Sequence, residues 1–288
     1  MKKFELTTEF ITNALGKKLF RIKALVEFGS VKAGELGGYA EKEENISQDG
    51  NAWVSGDARV YGNAWVSGDA RVSGDAWVHG NAKVFGNAEV YGDTEVSGDA
   101  KVFGNVRVSD NVRVSDNAKV FGNAEVYGDA KVSDNAKVFG NAKVYGDAKV
   151  SDNAKVFGDA CVYGDAKVFG NAWVYGDAWV HGNAKVFGNA WVYGDTEVSG
   201  DAKVSDNAEV SGDADYALVK GFGTEFRCTT FYRDKNKKIM VNCGCFHGDL
   251  EAFRKQVKET RSGKIAKEYL MIADLMEYHF TSEDSSDE

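Results

Sequence analysis

The sequence predicts a mainly β protein built around a parallel β-helix with three short strands in each coil. A valine falls on every sixth residue from Val54 to Val210, which makes 27 valines without an interruption. Alanine stands two residues before nearly every valine, and the remaining corner positions are glycine, aspartate or asparagine. The outward positions also repeat every eighteen residues. These three observations fix the class of fold before any other element is considered.

Each hexad reads as one short strand followed by one tight corner. Alternate residues of a strand face the same way, so alanine and valine point inward together. Glycine, aspartate and asparagine tolerate the positive φ angles of a corner. A unit of six residues cannot bury its own apolar face, so successive units must coil and stack. Four residues replace the inward alanine, namely Thr94, Val106, Val112 and Thr196.

The period of eighteen residues sets the number of strands in a coil. An aromatic series follows the valines at this spacing: Phe85, Phe103, Phe121, Phe139, Phe157, Tyr175 and Tyr193. A spacing of twelve residues breaks the series at once, because it leads from Phe85 to Ser97. Three strands per coil predict a triangular prism, and the 27 hexads give nine coils. At the ~4.8 Å strand spacing, the prism would be roughly 43 Å long.

The repeats, such as Val-Phe-Gly-Asn-Ala-Glu at residues 120–125, resemble the hexapeptide motif of the bacterial transferase superfamily. That resemblance covers residues 51–213 and implies a left-handed parallel β-helix. The segments Phe28-Gly29 and Cys243-Gly244-Cys245-Phe246 resemble the ends of hexapeptide proteins encoded by phages and prophages. Such proteins are labelled as transferases or as polymer-forming cytoskeletal proteins, so the resemblance implies an architecture more than an activity.

The chain divides into three predicted domains. Residues 1–50 lack the hexad and read as a small β cap, because an open β-helix end would expose unpaired backbone and apolar core. Residues 51–213 form the β-helix. Residues 214–288 form a C-terminal ββαα module with an acidic tail.

Within the C-terminal module, strands at Thr229–Tyr232 and Ile239–Phe246 flank a polar turn at residues 234–237. Asp249 reads as the N-cap of a helix over Leu250–Thr260, and Gly263 separates it from a second helix over Lys264–His279. The acidic tail from Thr281 to Glu288 is expected to be disordered.

Charge and targeting signals restrict the class of partner. The formal charge of −9 argues against broad attraction to nucleic acid or anionic membrane, which require a basic surface. The N-terminus lacks the apolar stretch of a secretory signal, and no apolar run approaches a membrane span. Four cysteines without a disulfide framework favour a reducing compartment. We expect a cytoplasmic protein, in the host cytoplasm if it is phage-encoded.

Catalytic and metal sites have weak support in the sequence. An acyltransferase using an acyl-coenzyme A donor would need a histidine base and a cleft, but His79 and His181 lie on different columns and no insertion encloses a ligand. Cys228, Cys243, Cys245 and His247 could outline a small zinc site on two strands. Their spacing favours buried core cysteines instead. We therefore predict no catalytic, cofactor-binding or metal-binding residue, and whether those four residues hold a metal stays open.

One outer face carries the clearest functional signal, because a lysine column runs beside an aromatic column and then turns into tryptophan. An exposed apolar strip of this length is typical of an interface, although stacked rings can also satisfy one another. The predicted partner face comprises Lys101, Phe103, Lys119, Phe121, Lys137, Phe139, Lys155, Phe157, Trp173, Tyr175, Trp191 and Tyr193.

The sequence therefore predicts a non-catalytic, phage-like accessory protein that self-associates and engages a macromolecular partner through this face. A homotrimer or homodimer is the leading expectation, followed by a host protein target. Nucleotide or nucleic-acid binding comes third, because the repeat holds 15 basic against 23 acidic residues.

Overall fold

The repeat forms a parallel β-helix of about ten coils in the computed structural model, which describes residues 2–224 and 226–281. Every hexad contributes one short strand, and strands eighteen residues apart pair in parallel, as Lys101 does with Lys119. The predicted parallel β-helix with three strands per coil is thus confirmed. Three flat sheets result, which we call the first, second and third walls after their strands at Trp53, Arg59 and Trp65.

The strands of the first wall are Trp53–Val54, Arg71–Val72, Glu89–Val90, Arg107–Val108, Glu125–Val126, Lys143–Val144, Cys161–Val162, Trp179–Val180 and Glu197–Val198. Those of the second wall are Arg59–Val60, Trp77–Val78, Glu95–Val96, Arg113–Val114, Lys131–Val132, Lys149–Val150, Lys167–Val168, Lys185–Val186 and Lys203–Val204. Those of the third wall are Trp65–Val66, Lys83–Gly86, Lys101–Gly104, Lys119–Gly122, Lys137–Val138, Lys155–Val156, Trp173–Val174, Trp191–Val192 and Glu209–Val210.

The interior of the prism holds the inward valines and alanines, as predicted. Every repeat valine from Val54 to Val210 is 0 % exposed. The two inward threonines are buried as well, and their hydroxyls are satisfied locally. Thr94 Oγ1 donates to the Tyr91 carbonyl at 2.7 Å, and Thr196 Oγ1 donates to the Tyr193 carbonyl at 2.7 Å. A narrow core of small side chains leaves only the walls and the two ends available for contact.

The corners require the residues that the sequence places there. Gly140 has a φ of 72°, and a Cβ at this position would lie 2.9 Å from the backbone nitrogen of Gly158 in the next coil. Aspartate replaces glycine at some corners with the same left-handed backbone, as at Asp152 with a φ of 56°. Its carboxylate accepts a hydrogen bond from the Gly170 backbone N–H at 2.9 Å. Aspartate thereby offsets part of the steric cost of this conformation.

Residues near the N-terminus extend the β-helix by one coil. Strands Phe4–Thr12, Lys18–Ala24 and Leu36–Ala40 form an antiparallel sheet, and the last of them pairs in parallel with Arg59–Val60. The second wall therefore belongs to a sheet of twelve strands. A short 3-10 helix, Glu43–Asn45, follows and leads into the third wall.

After the last coil, the 3-10 helix Asp213–Asp215 leads into a four-stranded antiparallel sheet. Its strands are Tyr216–Phe222, Arg227–Arg233, Ile239–Cys243 and Phe246–Asp249, and they pair in this order. Two helices pack on the sheet, α1 over Leu250–Thr260 and α2 over Gly263–Thr281. Their shared core consists of Phe231, Val241, Leu250, Phe253, Val257, Tyr269, Ile272, Ala273, Met276 and Phe280.

The structure confirms the two helices and the N-cap, since the Asp249 side chain accepts a hydrogen bond from the Ala252 backbone N–H at 2.7 Å. The predicted hairpin is present, since strand Arg227–Arg233 pairs antiparallel with Ile239–Cys243, but the module has two further strands that were not predicted. The expected strand over Ile239–Phe246 is broken by a turn at Gly244, whose φ is 61°. Thr281 belongs to α2, and the rest of the tail that was expected to be disordered, residues 282–288, lies outside the described residues.

Candidate interaction face

All residues of the predicted partner face lie on the third wall, in register on successive strands. Lysine or tryptophan occupies the position before each valine, and phenylalanine or tyrosine the position after it. The wall carries no projecting segment between Lys83 and Tyr193. The structure therefore assembles these residues into one flat surface, and their role as a contact face stays a prediction.

The aromatic column is a continuous stack. Neighbouring rings from Phe85 to Tyr193 lie 4.8 to 5.0 Å apart and nearly parallel. This separation equals the spacing of paired strands, so the backbone holds the rings in contact. Each ring covers the faces of its neighbours and is only partly exposed. The column presents ring edges to solvent, which is less apolar area than separate rings would offer.

The lysine column is only partly balanced in charge on its own wall, where the position two residues before each lysine holds asparagine in four coils and aspartate at Asp99. Within the described parts of the chain, the ammonium groups of Lys83, Lys101, Lys119 and Lys137 make no ion pair, and the Lys155 ammonium lies over the Trp173 ring at 4.1 Å. Like charges on neighbouring strands repel. The third wall therefore carries an excess of positive charge in a protein whose net charge is negative.

On the first wall, opposite charges occupy the position before the valine on neighbouring strands. Its column alternates in sign, so that Arg107 pairs with Glu89 at 3.6 Å and Lys143 pairs with Glu125 at 3.9 Å. Further along, aspartates stand at three successive coils, Asp159, Asp177 and Asp195, and all are exposed. The two walls thus differ in charge along their length.

A second aromatic column lies on the first wall. Tyr127, Tyr145, Tyr163 and His181 stack at 4.7 to 4.8 Å. Burial in this stack raises the pKa of Tyr145 to about 12 because it disfavours the phenolate form. The His181 ring bonds the Glu197 carboxylate at 2.7 Å, which ends the column in an ion pair when the ring is protonated.

His79 lies on the second wall, so the two repeat histidines occupy different columns as predicted. Its ring stacks on Tyr61 at 4.8 Å and bonds Glu95 at 3.0 Å. Each histidine therefore caps a short aromatic stack and binds one glutamate, which is the behaviour of a surface residue.

A groove on the second wall was not predicted from the sequence. A column of basic residues, including Lys131 and Lys149, runs beside a column of aspartates that includes Asp129 and Asp147, and the groove between them measures about 690 Å³. The signal was present in the sequence as Gly-Asp-Ala-Lys hexads at eighteen-residue spacing. Because the opposite charges are adjacent, this wall is nearly neutral where the third wall is positive.

Asparagine ladders run along the edges of the walls. On the third wall, Asn135 donates to Asn153 at 3.2 Å, and Asn153 donates to Asn171 at 3.1 Å. Each side-chain amide both donates and accepts along the helix axis. These ladders tie successive coils together outside the core and stiffen the wall.

The cysteines of the C-terminal module are not assembled as a metal site. Cys228 and Cys243 are half-buried, and Cys245 is exposed in the turn after the strand ends at Cys243, so the expectation that these are buried core cysteines was wrong. His247 bonds instead to Asp206 at 2.7 Å and to Asn242 at 2.8 Å. Across residues 2–224 and 226–281, no group of three histidine, cysteine or acidic side chains is arranged to hold a metal ion.

Neither α1 nor α2, the two α-helices of the described chain, has an apolar stretch long enough to cross a bilayer.

Comparison with known protein families gives a match on the β-helix. No curated protein matches the chain. Residues 43–143 match the family model described as Bactofilin: Polymer-forming cytoskeletal. The matched range starts at the N-terminal 3-10 helix and ends inside the repeat. Over these coils, the chain is similar to a polymer-forming cytoskeletal family.

Proposed function

We propose that this protein is a non-catalytic scaffold whose copies associate side by side through the third wall. The observation that carries the proposal is the flat, uninterrupted surface of stacked rings and lysines from Lys83 to Tyr193. Many weak contacts repeated at one spacing can add up along such a wall. The similarity of residues 43–143 to a polymer-forming family supports self-association.

The ends of the β-helix favour lateral rather than end-to-end contact. At the N-terminal end, Asn45 is fully buried and donates to the carbonyls of Gly62 at 3.1 Å and Ala64 at 2.8 Å. At the C-terminal end, Thr230 accepts a hydrogen bond from the Lys203 backbone N–H at 2.9 Å. Because chain segments already cover both ends, coils of two copies cannot stack directly.

Charge favours a contact between two different faces. A third wall placed on another third wall would bring two lysine columns together, which is unfavourable. The exposed aspartates of the first wall, Asp159, Asp177 and Asp195, repeat at the same one-coil spacing. A lysine column can therefore meet the aspartate column of a neighbour.

A contact between different faces closes into a ring, such as the expected trimer, or continues as an open polymer. The description of the matched family supports the polymer. A two-fold dimer is disfavoured, because it would place the same face of both copies together.

We further propose that the protein is phage-like and cytoplasmic and that its assembled walls engage a host macromolecule. A pull-down from host lysate with the full chain and with residues 214–288 removed would test this part. Recovery of the same specific partner by wild type and by a variant with an acidic third wall would contradict it.

The experiment for self-association replaces two rings of the column, Phe121→Glu together with Phe139→Glu. The β-helix should stay folded, since these side chains point outward, while the assembly state measured by light scattering should fall. An unchanged monomer in wild type and variant would refute the proposal.

A charge-matched pair of variants separates the walls. Lys119→Glu with Lys137→Glu reverses charge on the third wall, and Lys131→Glu with Lys149→Glu does so on the second wall. The first pair should lower the assembly state and the second should not. Equal effects of the two pairs would show that net charge, rather than the third wall, controls association.

The same preparations test the two rival functions. Turnover of acetyl-coenzyme A that disappears in His181→Ala would establish an acyltransferase. Binding of an oligonucleotide that weakens steeply with salt and with Lys119→Glu would establish a nucleic-acid binder.

A further inference from the structure

A cavity of about 200 Å³ lies where the third wall meets the C-terminal module. Lys235 reaches it from the turn after strand Arg227–Arg233, and the backbone N–H of this residue donates to the Asn207 carbonyl at 3.0 Å. The turn thus forms one side of a site whose other side is the last coil. The lining residues are Asn189, Trp191, Asn207, Ala208, Glu209 and Lys235.

The aromatic part of the cavity is Trp191, which is 43 % exposed. Its ring stacks on Trp173 at 5.4 Å and 12°, towards the preceding coil. In the following coil, the residue in register with Trp191 is Glu209, so the tryptophan stack ends here. Among the described residues no ring stacks on the second face of Trp191, and Trp191 lines the cavity.

Hydrogen bonds hold the polar side chains of the cavity in place, and their formal charges balance. Glu209 accepts a hydrogen bond from the Tyr193 hydroxyl at 2.7 Å, which anchors the carboxylate and raises the pKa of Tyr193. The side-chain amides of Asn189 and Asn207 lie beside it, 3.5 Å apart. The formal charges of Glu209 and Lys235 cancel. The site thus offers donors and acceptors around an aromatic plate without a net charge.

We propose that this cavity binds a neutral sugar ring, stacked on Trp191. A pyranose has an apolar C–H face that fits an indole plate, and its edge carries hydroxyls that both donate and accept hydrogen bonds. Pockets for drug-sized ligands begin at roughly 300 Å³, so this site is sized for about one ring. A single sugar residue, free or within a longer glycan, meets both requirements.

Two other ligand classes fit the site less well. A nucleotide would bring a phosphate towards the Glu209 carboxylate, and a primary amine would bring a second positive charge to a site that Lys235 already lines. A neutral polyol encounters neither repulsion. The chemistry of the site, rather than its shape alone, selects the sugar.

The inference does not rest on the proposed self-association. The cavity lies beyond residues 43–143, the range that matches the polymer-forming family. The Phe121→Glu and Phe139→Glu variant, which tests association, should bind sugar like the wild type. Loss of one property without the other would therefore distinguish the two proposals.

The test is saturation-transfer NMR on the full chain with free N-acetylglucosamine, glucose and galactose, each titrated separately. Trp191→Lys places in this column the residue that five earlier coils carry, so the fold should tolerate it. We expect transfer to the ring protons of at least one sugar, and binding about five- to tenfold weaker in Trp191→Lys.

The matched control is Trp179→Lys, which removes an exposed tryptophan of the first wall, and it should leave sugar binding unchanged. Glu209→Gln should also weaken binding, because the amide loses the charged acceptor. Saturation transfer to none of the sugars would overturn the proposal. Equal binding by the two tryptophan variants, or transfer only to a nucleoside or an alkylamine, would overturn it as well.

Discussion

The two ends of the β-helix are closed in different ways. The edge of a parallel strand exposes both N–H and C=O groups, so each end needs donors and acceptors. At the first coil, the ammonium of Lys3 and the amide of Asn45 donate to backbone carbonyls, and the Glu41 carboxylate accepts from the Gly62 N–H at 2.6 Å.

At the C-terminal end, Thr230 Oγ1 accepts from the Lys203 N–H, and the Asp215 carboxylate accepts from the Ser211 N–H at 2.9 Å. Asn242 adds an amide that donates to the Lys203 carbonyl at 2.9 Å. These groups belong to a module with its own aromatic core, whereas the N-terminal end is closed by strands that continue the second wall. One end therefore extends the β-helix, whereas the other end carries a separate unit docked onto it.

The largest effect should come from breaking the core of the docked unit. Phe253 is 3 % exposed and packs edge-on against Phe231 and Tyr269. Phe253→Ala should cost about 3–5 kcal/mol, because it leaves a cavity in the module. All six tryptophans lie in the β-helix and both α-helices lie in the module. Denaturation should therefore show the loss of the helical circular dichroism signal before the change in tryptophan fluorescence.

The control for this prediction is Phe187→Ala, which removes a ring from the outside of the second wall and should cost far less. A single transition that shifts as a whole in Phe253→Ala would contradict the view of the module as a separate unit.

The next effect is a pH dependence confined to the N-terminal end. Lys3 is 4 % exposed, and its ammonium donates to the carbonyls of Gly50 at 3.2 Å and Ala52 at 2.9 Å. Burial lowers the pKa of Lys3 to about 8 from 10.5, against the opposing pull of Asp49 and Asp69. Between these values the unfolded chain holds the proton that the folded chain has released, so the free energy of unfolding should rise with pH.

The rise should reach up to about 3 kcal/mol between pH 8 and 10.5 and should vanish in Lys3→Met. Urea denaturation across this range measures it, with Lys2→Met as the control, because the exposed Lys2 pairs only with Glu43 among the described contacts. The tyrosines contribute equally to the pH dependence of both proteins. The difference in free energy of unfolding between wild type and Lys3→Met therefore isolates the contribution of Lys3. Parallel curves for these two proteins would contradict the prediction.

The smallest effect concerns one acceptor at the C-terminal end. Thr230→Val keeps the shape of the side chain and leaves the Lys203 N–H unpaired in a buried place, which should cost about 1–2 kcal/mol. Thr229→Val is the matched control, since the Thr229 hydroxyl donates only to the Cys243 sulfur at 3.1 Å. If urea denaturation gave both variants the same loss, the acceptor role of Thr230 would be wrong.

Most of the β-helix could be predicted because its information is local and periodic. The alternation of alanine and valine sets which side chains enter the core, and the eighteen-residue period sets which strands pair. The aromatic column from Phe85 to Tyr193 was predicted in the correct register for the same reason. Its exposure was overestimated, because rings held at the strand spacing cover one another.

The C-terminal module was predicted less well because its pattern is not repeated. The helices carried clear signals in Asp249 and Gly263, whereas the strand Tyr216–Phe222 has no alternation that marks it. Cys245 looked like a strand residue, but Gly244 turns the chain just before it. The turn at this single glycine ends the strand, although the alternation of residues 243–247 had indicated that it continues.

By itself, the sequence determined the three-walled prism, its core and the columns on its walls, because each depends on the spacing of residues within a few coils. Only the tertiary structure decided how the ends close and where a cavity forms. Asn45 reaches the first coil from the N-terminal segment, and Lys235 reaches Asn207 from a turn in another module. Such contacts join segments whose sequence patterns are unrelated, so no repeat in the sequence predicts them.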